Sequence, residues 1–355
     1  MSKITRIIAR SRIGKKIEKS GKMEVPEEDE HKYLSSLKSP SKRQDLDLLT
    51  EPEDIKYFPT LCVIASKMAY KNNLFIKDVL QKQWNNMNLL DAKDFWNVYQ
   101  QNHSTKAFML HDYNPNPEMI VVVFRGTKPL DVHALSTDVN IFGCKFGQGT
   151  ERVHSGFMRA LGLQMDDKWP RDVDRDDNRP LAYYSIREKL REIFRRNRQT
   201  KFILTGHSLG GALAILFLAV LLLHEESDIV NRLKAVYTFG QPMVGNQEFA
   251  AFMTRKLEEY RIRYFRFVFS NDLIPRLPTC SGTFEYKHFG PWLYYDTKYE
   301  GQKSDKDPLK DYFSYKIVKA GIENRRLSKL RSYITSHRGR QYITAIREGE
   351  TTILQ

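Results

Sequence analysis

From about residue 57 onward, apolar residues recur at regular spacings that sort the chain into elements. Leu61, Val63, Ile64, Ala65, Met68 and Ala69 share one face at a helical period, which predicts a helix just past Tyr57. Strand-like runs follow at 108–110 and 120–124. The second half alternates between the two types. It reads as a helix over 182–195, a strand at 202–205, a long apolar helix over about 212–224 and a strand at 235–239, then a helix over about 247–260 and a strand at 264–269. Strands separated by helices pair in parallel through crossover connections, so the chain is predicted to be an α/β protein with a mostly parallel central sheet flanked by helices. The apolar run 212–223 is shorter than the ~20 residues needed to span a bilayer. The stretch 164–180 interrupts the alternation with six aspartates. They lack the spaced ligand set and turn glycine of a calcium loop, so a solvated insertion is expected.

Residues 1–50 show no comparable period. A basic block gives way to Glu27, Glu28, Asp29 and Glu30 and then to Ser39-Pro40-Ser41, and the segment reads as a basic, disordered extension ahead of a folded domain over 51–355. Its charge changes the picture. Residues 1–22 carry +7 and residues 301–355 carry +6 of the total +14, which leaves the folded middle nearly neutral. Basic ends suit an anionic membrane surface or nucleic acid. No zinc-finger, RNP-type or basic-zipper pattern supports nucleic acid, so an anionic membrane surface, bound peripherally, is the expected partner. No secretory signal is evident, and Cys62, Cys144 and Cys280 are too few and too scattered for a disulfide framework or a zinc site. The expected location is therefore intracellular: cytoplasmic and peripheral on a membrane, or an organelle if the Arg-rich N-terminal segment acts as a transit peptide.

The sharpest local signal is Gly206-His207-Ser208-Leu209-Gly210, a G-x-S-x-G that follows a strand and opens the apolar helix. In that setting the serine sits on a strained turn with its hydroxyl presented, and the helix start offers a positive dipole end to a developing anion. Serine is inert near neutral pH without a base and an orienting carboxylate. Asp272 lies just past the strand at 264–269, unlike Asp228 at a helix end or Asp296, read as lying in a loop. Downstream, His224 reads as a helix cap, while His288 and His337 both remain open as the base from chain order. Upstream, the strand 121–124 runs into Arg125-Gly126-Thr127, which fits an oxyanion-binding turn and equally an ordinary strand-to-loop turn.

Together with the serine motif, Phe124-Arg125-Gly126-Thr127, Val153-His154-Ser155-Gly156-Phe157, Tyr237-Thr238-Phe239-Gly240-Gln241-Pro242 with Val244-Gly245-Asn246, and Asn271-Asp272 through Pro278 resemble the class 3 lipase family in order and spacing. Tyr286-Lys287-His288-Phe289-Gly290 is similar to its plant oil-body triacylglycerol lipases. The resemblance runs from about Pro52 to Gly349 and implies an α/β-hydrolase fold with a lid. It implies Ser208 as nucleophile, Asp272 as orienting acid, and the N–H groups of Thr127 and Leu209 as the oxyanion hole. His337, five residues before Tyr342, matches the catalytic histidine, and His288 a non-catalytic one. Leu130, Val132, Leu135, Val139, Ile141 and Phe142 correspond to the apolar face of the lid.

Two departures stand out. A basic tail replaces the family's longer hydrophobic N-terminal part, and Leu135 stands where tryptophan usually precedes the Thr-Asp pair. The resemblance implies fatty-acid release from triacylglycerol or diacylglycerol at a lipid-droplet or membrane surface, with no cofactor or metal. A phospholipase A1 or galactolipase fits the same motifs. So does an idle, lipase-like signalling scaffold, although that class usually appends a helical domain.

Overall fold

In β3 (Met119–Phe124) every residue is buried, and alternate side chains serve opposite cores. Ile120, Val122 and Phe124 join one core, and Met119, Val121 and Val123 join the other. A strand covered on both faces reads as one unbroken apolar run, which is why the sequence exposes it. The computed structural model describes residues 46–48, 50–126, 143–147, 149–163, 170–174, 176–278, 284–310 and 335–354, all within a unit spanning 45–355. The same two-sided pattern builds β6 (Lys201–His207) and β7 (Leu233–Phe239). Beside them runs β8 (Arg263–Phe269).

The sheet has eight strands in the order β1-β2-β3-β6-β7-β8-β9-β10. Strands β3, β6, β7, β8 and β9 (Trp292–Tyr295) pair in parallel. The flanks are antiparallel: β1 (Met87–Asn97) and β2 (Asn102–Asp112) at one edge, β10 (Gly301–Ser304) at the other. Strands β4 (Gly143–Lys145) and β5 (Arg152–His154) form a separate small hairpin. Asp296 thus directly follows a sheet strand, contrary to the sequence reading. Its carboxylate caps its own turn, accepting from the amides of Lys298 (2.7 Å) and Glu300 (3.0 Å).

One core takes helices α1 (Tyr57–Met68), α2 (Asn73–Gln83) and α8 (Gly339–Glu348). The other takes α3 (Ser155–Ala160), α4 (Ala182–Arg196), α5 (Leu209–Leu223), α6 (Ser227–Val230) and α7 (Gln247–Glu259). Helix α5 buries thirteen of its fifteen residues, which explains the apolar run as core. Each large side chain buried there contributes about 1.5–3 kcal/mol. Among the described residues, no helix is long and apolar enough to cross a membrane. Helix α8 buries Tyr342, Ile343, Ala345 and Ile346, and its last carbonyls are held by Lys56, whose Nζ donates to Arg347 (2.9 Å) and Gly349 (2.7 Å). At the N-terminal side, Leu46 is already buried and its carbonyl accepts the Trp84 indole N–H (2.8 Å).

A cleft of about 770 Å³ lies beyond the C-terminal end of α5, lined by Arg171, Arg191, Arg195, Arg198 and Arg232 together with Glu225, Glu226 and Asp228. It is roughly 20 Å along the helix from Ser208. Much of its positive charge is met within the protein. Glu226 takes Arg191 at 2.6 Å and Arg187 at 3.3 Å, and Glu188 takes Arg195 at 2.8 Å.

Candidate active site

Strand β6 delivers Ser208 to the C-terminal edge of the sheet, where α5 begins. Ser208 adopts φ 59° and ψ −132°, a conformation that costs a non-glycine residue on the order of 1–3 kcal/mol. The turn closes because its flanking glycines lack side chains. A Cβ on Gly210 would sit 2.1 Å from the carbonyl oxygen of Phe124, and one on Gly206 would sit 2.2 Å from the Gly210 backbone. Gly126, at the end of β3, abuts the same turn, with space for a Cβ only 3.0 Å from that of Ser208. Leu209 opens α5, so its N–H belongs to the first turn, whose amides have no partner inside a helix. Thr127 and the six lid positions, Leu130, Val132, Leu135, Val139, Ile141 and Phe142, lie outside the described residues.

Asp272 and His337 meet across 65 residues of sequence. Oδ2 of Asp272 accepts from Nδ1 of His337 at 2.7 Å, and both side chains are buried. The same oxygen accepts from the Tyr342 hydroxyl at 2.5 Å, and Oδ1 accepts from the Ile274 amide at 2.9 Å. The carboxylate is therefore fully held, and Nδ1 of His337 carries the proton. Its Nε2 and the Ser208 hydroxyl are buried without a hydrogen-bond partner among the described residues. A buried polar atom left without a partner calls for an explanation, and here both belong to groups at the end of β6 and beside Asp272.

His288 is placed elsewhere. Its Nε2 lies 2.5 Å from the Pro275 carbonyl, and burial followed by the Arg266 charge pushes its pKa well below the ordinary range. Structure therefore separates the two histidines that chain order left open. His224 sits at the C-terminal end of α5 with Nδ1 2.8 Å from the Tyr183 hydroxyl.

Residues 121–282 match the family described as lipase, class 3. The triacylglycerol lipase OBL1 of Arabidopsis thaliana is 40% identical over 277 residues, covering 73% of this chain and 53% of that protein. Its counterpart from Ricinus communis is 33% identical over 287 residues, 74% of this chain and 53% of the relative. The chain belongs to the class 3 lipase family. It spans about half the length of these curated relatives. Among solved structures, native Rhizomucor miehei lipase in its propeptide complex aligns with a TM-score of 0.52 at 22% identity, covering 71% of each chain, which supports the α/β-hydrolase fold.

Several of the shared motifs act as braces. The amide of His154 donates to Val244 (2.8 Å), that of Lys287 to Gly245 (2.8 Å), and Asn246 Oδ1 accepts from the Arg152 amide (2.9 Å). The His154 ring stacks on Phe157 at 3.8 Å, and burial lowers its pKa to about 4. Arg266 is fully buried, donates to Gly290 (2.9 Å) and lies over Trp292 at 4.4 Å, tying the Lys-His-Phe-Gly segment to β8. Tyr342, Gly240 and His207 adjoin the Asp272–His337 pair and Tyr70 adjoins His207, and none of the four carried an assigned site role in the sequence reading. Gly240 (φ +59°) had a readable signal, a Gly-Gln-Pro directly after a strand, and a Cβ there would lie 2.7 Å from Asp272 Oδ2 and 2.9 Å from His337 Nδ1. Tyr70 had none, because it lies outside every motif.

Proposed function

We propose that this protein is a serine ester hydrolase releasing fatty acids from triacylglycerol or diacylglycerol at a lipid–water interface. Ser208 attacks the ester carbonyl while Nε2 of His337 takes its proton, and Asp272 holds the imidazole in the tautomer that leaves Nε2 free to accept. The tetrahedral oxyanion is held by the N–H groups of Leu209 and Thr127, each worth about 3 kcal/mol on general grounds, with the start of α5 adding its dipole. The acyl group passes to Ser208 Oγ, His337 returns the proton to the leaving alcohol, and water then releases the acid by the same relay. The observation that carries this reading is the buried Asp272–His337 pair, whose distal nitrogen and the Ser208 hydroxyl are unsatisfied. Catalytic hydrogen bonds commonly tighten only when substrate is bound.

Substrate class rests on the named activity of the plant relatives, and peripheral lipid binding rests on the basic ends of the chain. Ser208→Ala should abolish release of oleate from a triolein emulsion and labelling by a fluorophosphonate, with the thermal unfolding curve retained. Turnover that survives the substitution would overturn the assignment. Retention on anionic vesicles after removal of residues 1–50 would remove the role given to the N-terminal segment.

A further inference from the structure

His207, the residue before the nucleophile, has both ring nitrogens engaged, and neither engagement is with the Asp272–His337 pair's own polar side-chain atoms. Its Nε2 lies 2.7 Å from the main-chain carbonyl of His337, and its Nδ1 lies 2.8 Å from the Tyr70 hydroxyl. A carbonyl can only accept, so the ring proton is on Nε2, and Nδ1 accepts from Tyr70. Burial first, then the neighbouring His337, lowers the His207 pKa to about 3, so the ring stays in this neutral form. Burial likewise raises the Tyr70 phenol above its ordinary value, which keeps it a donor. The His207 and His337 rings lie 4.5 Å apart at 31°. Tyr70 also closes on the strand-end turn next to Ser208: a Cβ on Gly126 would come within 2.4 Å of its oxygen.

From this geometry we propose that Tyr70 and His207 are positioning residues for His337. The chain from Tyr70 to His207 to the His337 carbonyl spans three segments that sequence does not join: the end of α1 with the Gly126 turn, the nucleophile turn, and the short stretch ahead of α8. It fixes the backbone from which the His337 imidazole hangs, so that Nε2 is presented to Ser208 while Nδ1 stays on Asp272. This role rests on the hydrolase reading above.

The test uses the full chain, a soluble short-chain p-nitrophenyl ester and the rate of fluorophosphonate labelling. A glutamine amide nitrogen falls where Nε2 stood, whereas that of asparagine falls where Nδ1 stood. His207→Asn should therefore lower kcat and the labelling rate at least tenfold with KM within twofold, and His207→Gln should recover most of that loss. Tyr70→Phe, which keeps the ring, should lower kcat several-fold. Equal impairment of the Asn and Gln variants, an effect confined to KM, or a kcat within twofold of the parent in His207→Asn overturns the proposal. Should the Asn variant fail to fold, the same kcat and KM criteria are applied to Tyr70→Phe. Absence of Ser208 labelling in the parent would instead bring down the hydrolase reading, and the positioning role with it.

Discussion

Tyr342→Phe isolates one hydrogen bond at the site while sparing the packing around it. The phenyl ring keeps its edge contacts with His207 (5.8 Å), Phe239 (6.2 Å) and Phe269 (6.3 Å). What is lost is the hydroxyl that donates to Asp272 Oδ2 at 2.5 Å and accepts from the Phe269 amide at 3.2 Å. Burial and the adjacent carboxylate hold that phenol protonated well above its ordinary range, so the wild-type group is a donor throughout the assay range. A hydrogen bond to a charged, buried acceptor is worth about 1.5–3 kcal/mol, and the stranded amide adds about 1 kcal/mol more. The expected cost is about 3 kcal/mol of stability, which for a domain of this size lowers Tm by about 6 °C. Turnover should fall as well, because Oδ2 keeps only His337 and the carboxylate is less firmly oriented. If about 1.4 kcal/mol of the loss is felt in the transition state, kcat drops about tenfold. KM should not move. Thermal unfolding and kinetics on a soluble ester read both effects. A variant with parental Tm and parental kcat would refute the view that this contact holds the acid.

Gly240→Ala places a methyl group at φ +59° against both Asp272 Oδ2 and His337 Nδ1, closer than van der Waals contact allows. The pair must shift by a few tenths of an ångström or more. A kcat loss of about 100-fold in a protein that still unfolds cooperatively is expected, and retention of kcat within twofold would show the pair to be tolerant. Acid should also destabilise the fold. His154 and His207 are held neutral down to about pH 4 and about pH 3, whereas in the unfolded chain they protonate near 6.5. Below 6.5 the unfolded state binds protons first, so stability present above that value is lost progressively toward the folded pKa values. By pH 5 each histidine accounts for about 2 kcal/mol. Urea midpoints at pH 7.5 and pH 5 should differ accordingly, and less so in His154→Phe. Equal midpoints at the two values would contradict the burial argument.

Local chemistry was legible in the chain, and long-range pairing was not. The α/β alternation, the buried strands β3, β6, β7 and β8, and Ser208 on its turn all follow from neighbours within about ten residues. Periodicity, a strand-to-helix junction and glycines forced by close contact are properties of short segments. Asp272 was readable for the same reason, as the residue closing a strand. Strands toward the sheet's ends escaped: β1 carries Asp91, Lys93 and Asp94 on a half-covered edge, and β9 and the edge strand β10 are four residues long. Chain order left His337 and His288 open and the family resemblance favoured His337, but the geometry that sets the two apart belongs to tertiary structure. It depends on α8 docking against α1 and β8, which brings Nδ1 to Asp272 across 65 residues, while Arg266, Trp292 and Pro275 hold His288 elsewhere. Tyr342, Tyr70 and the partners of His207 became visible only there too. A hydrogen bond between distant segments leaves no periodic trace in either one, because burial and distance in the folded state alone decide which donors and acceptors meet.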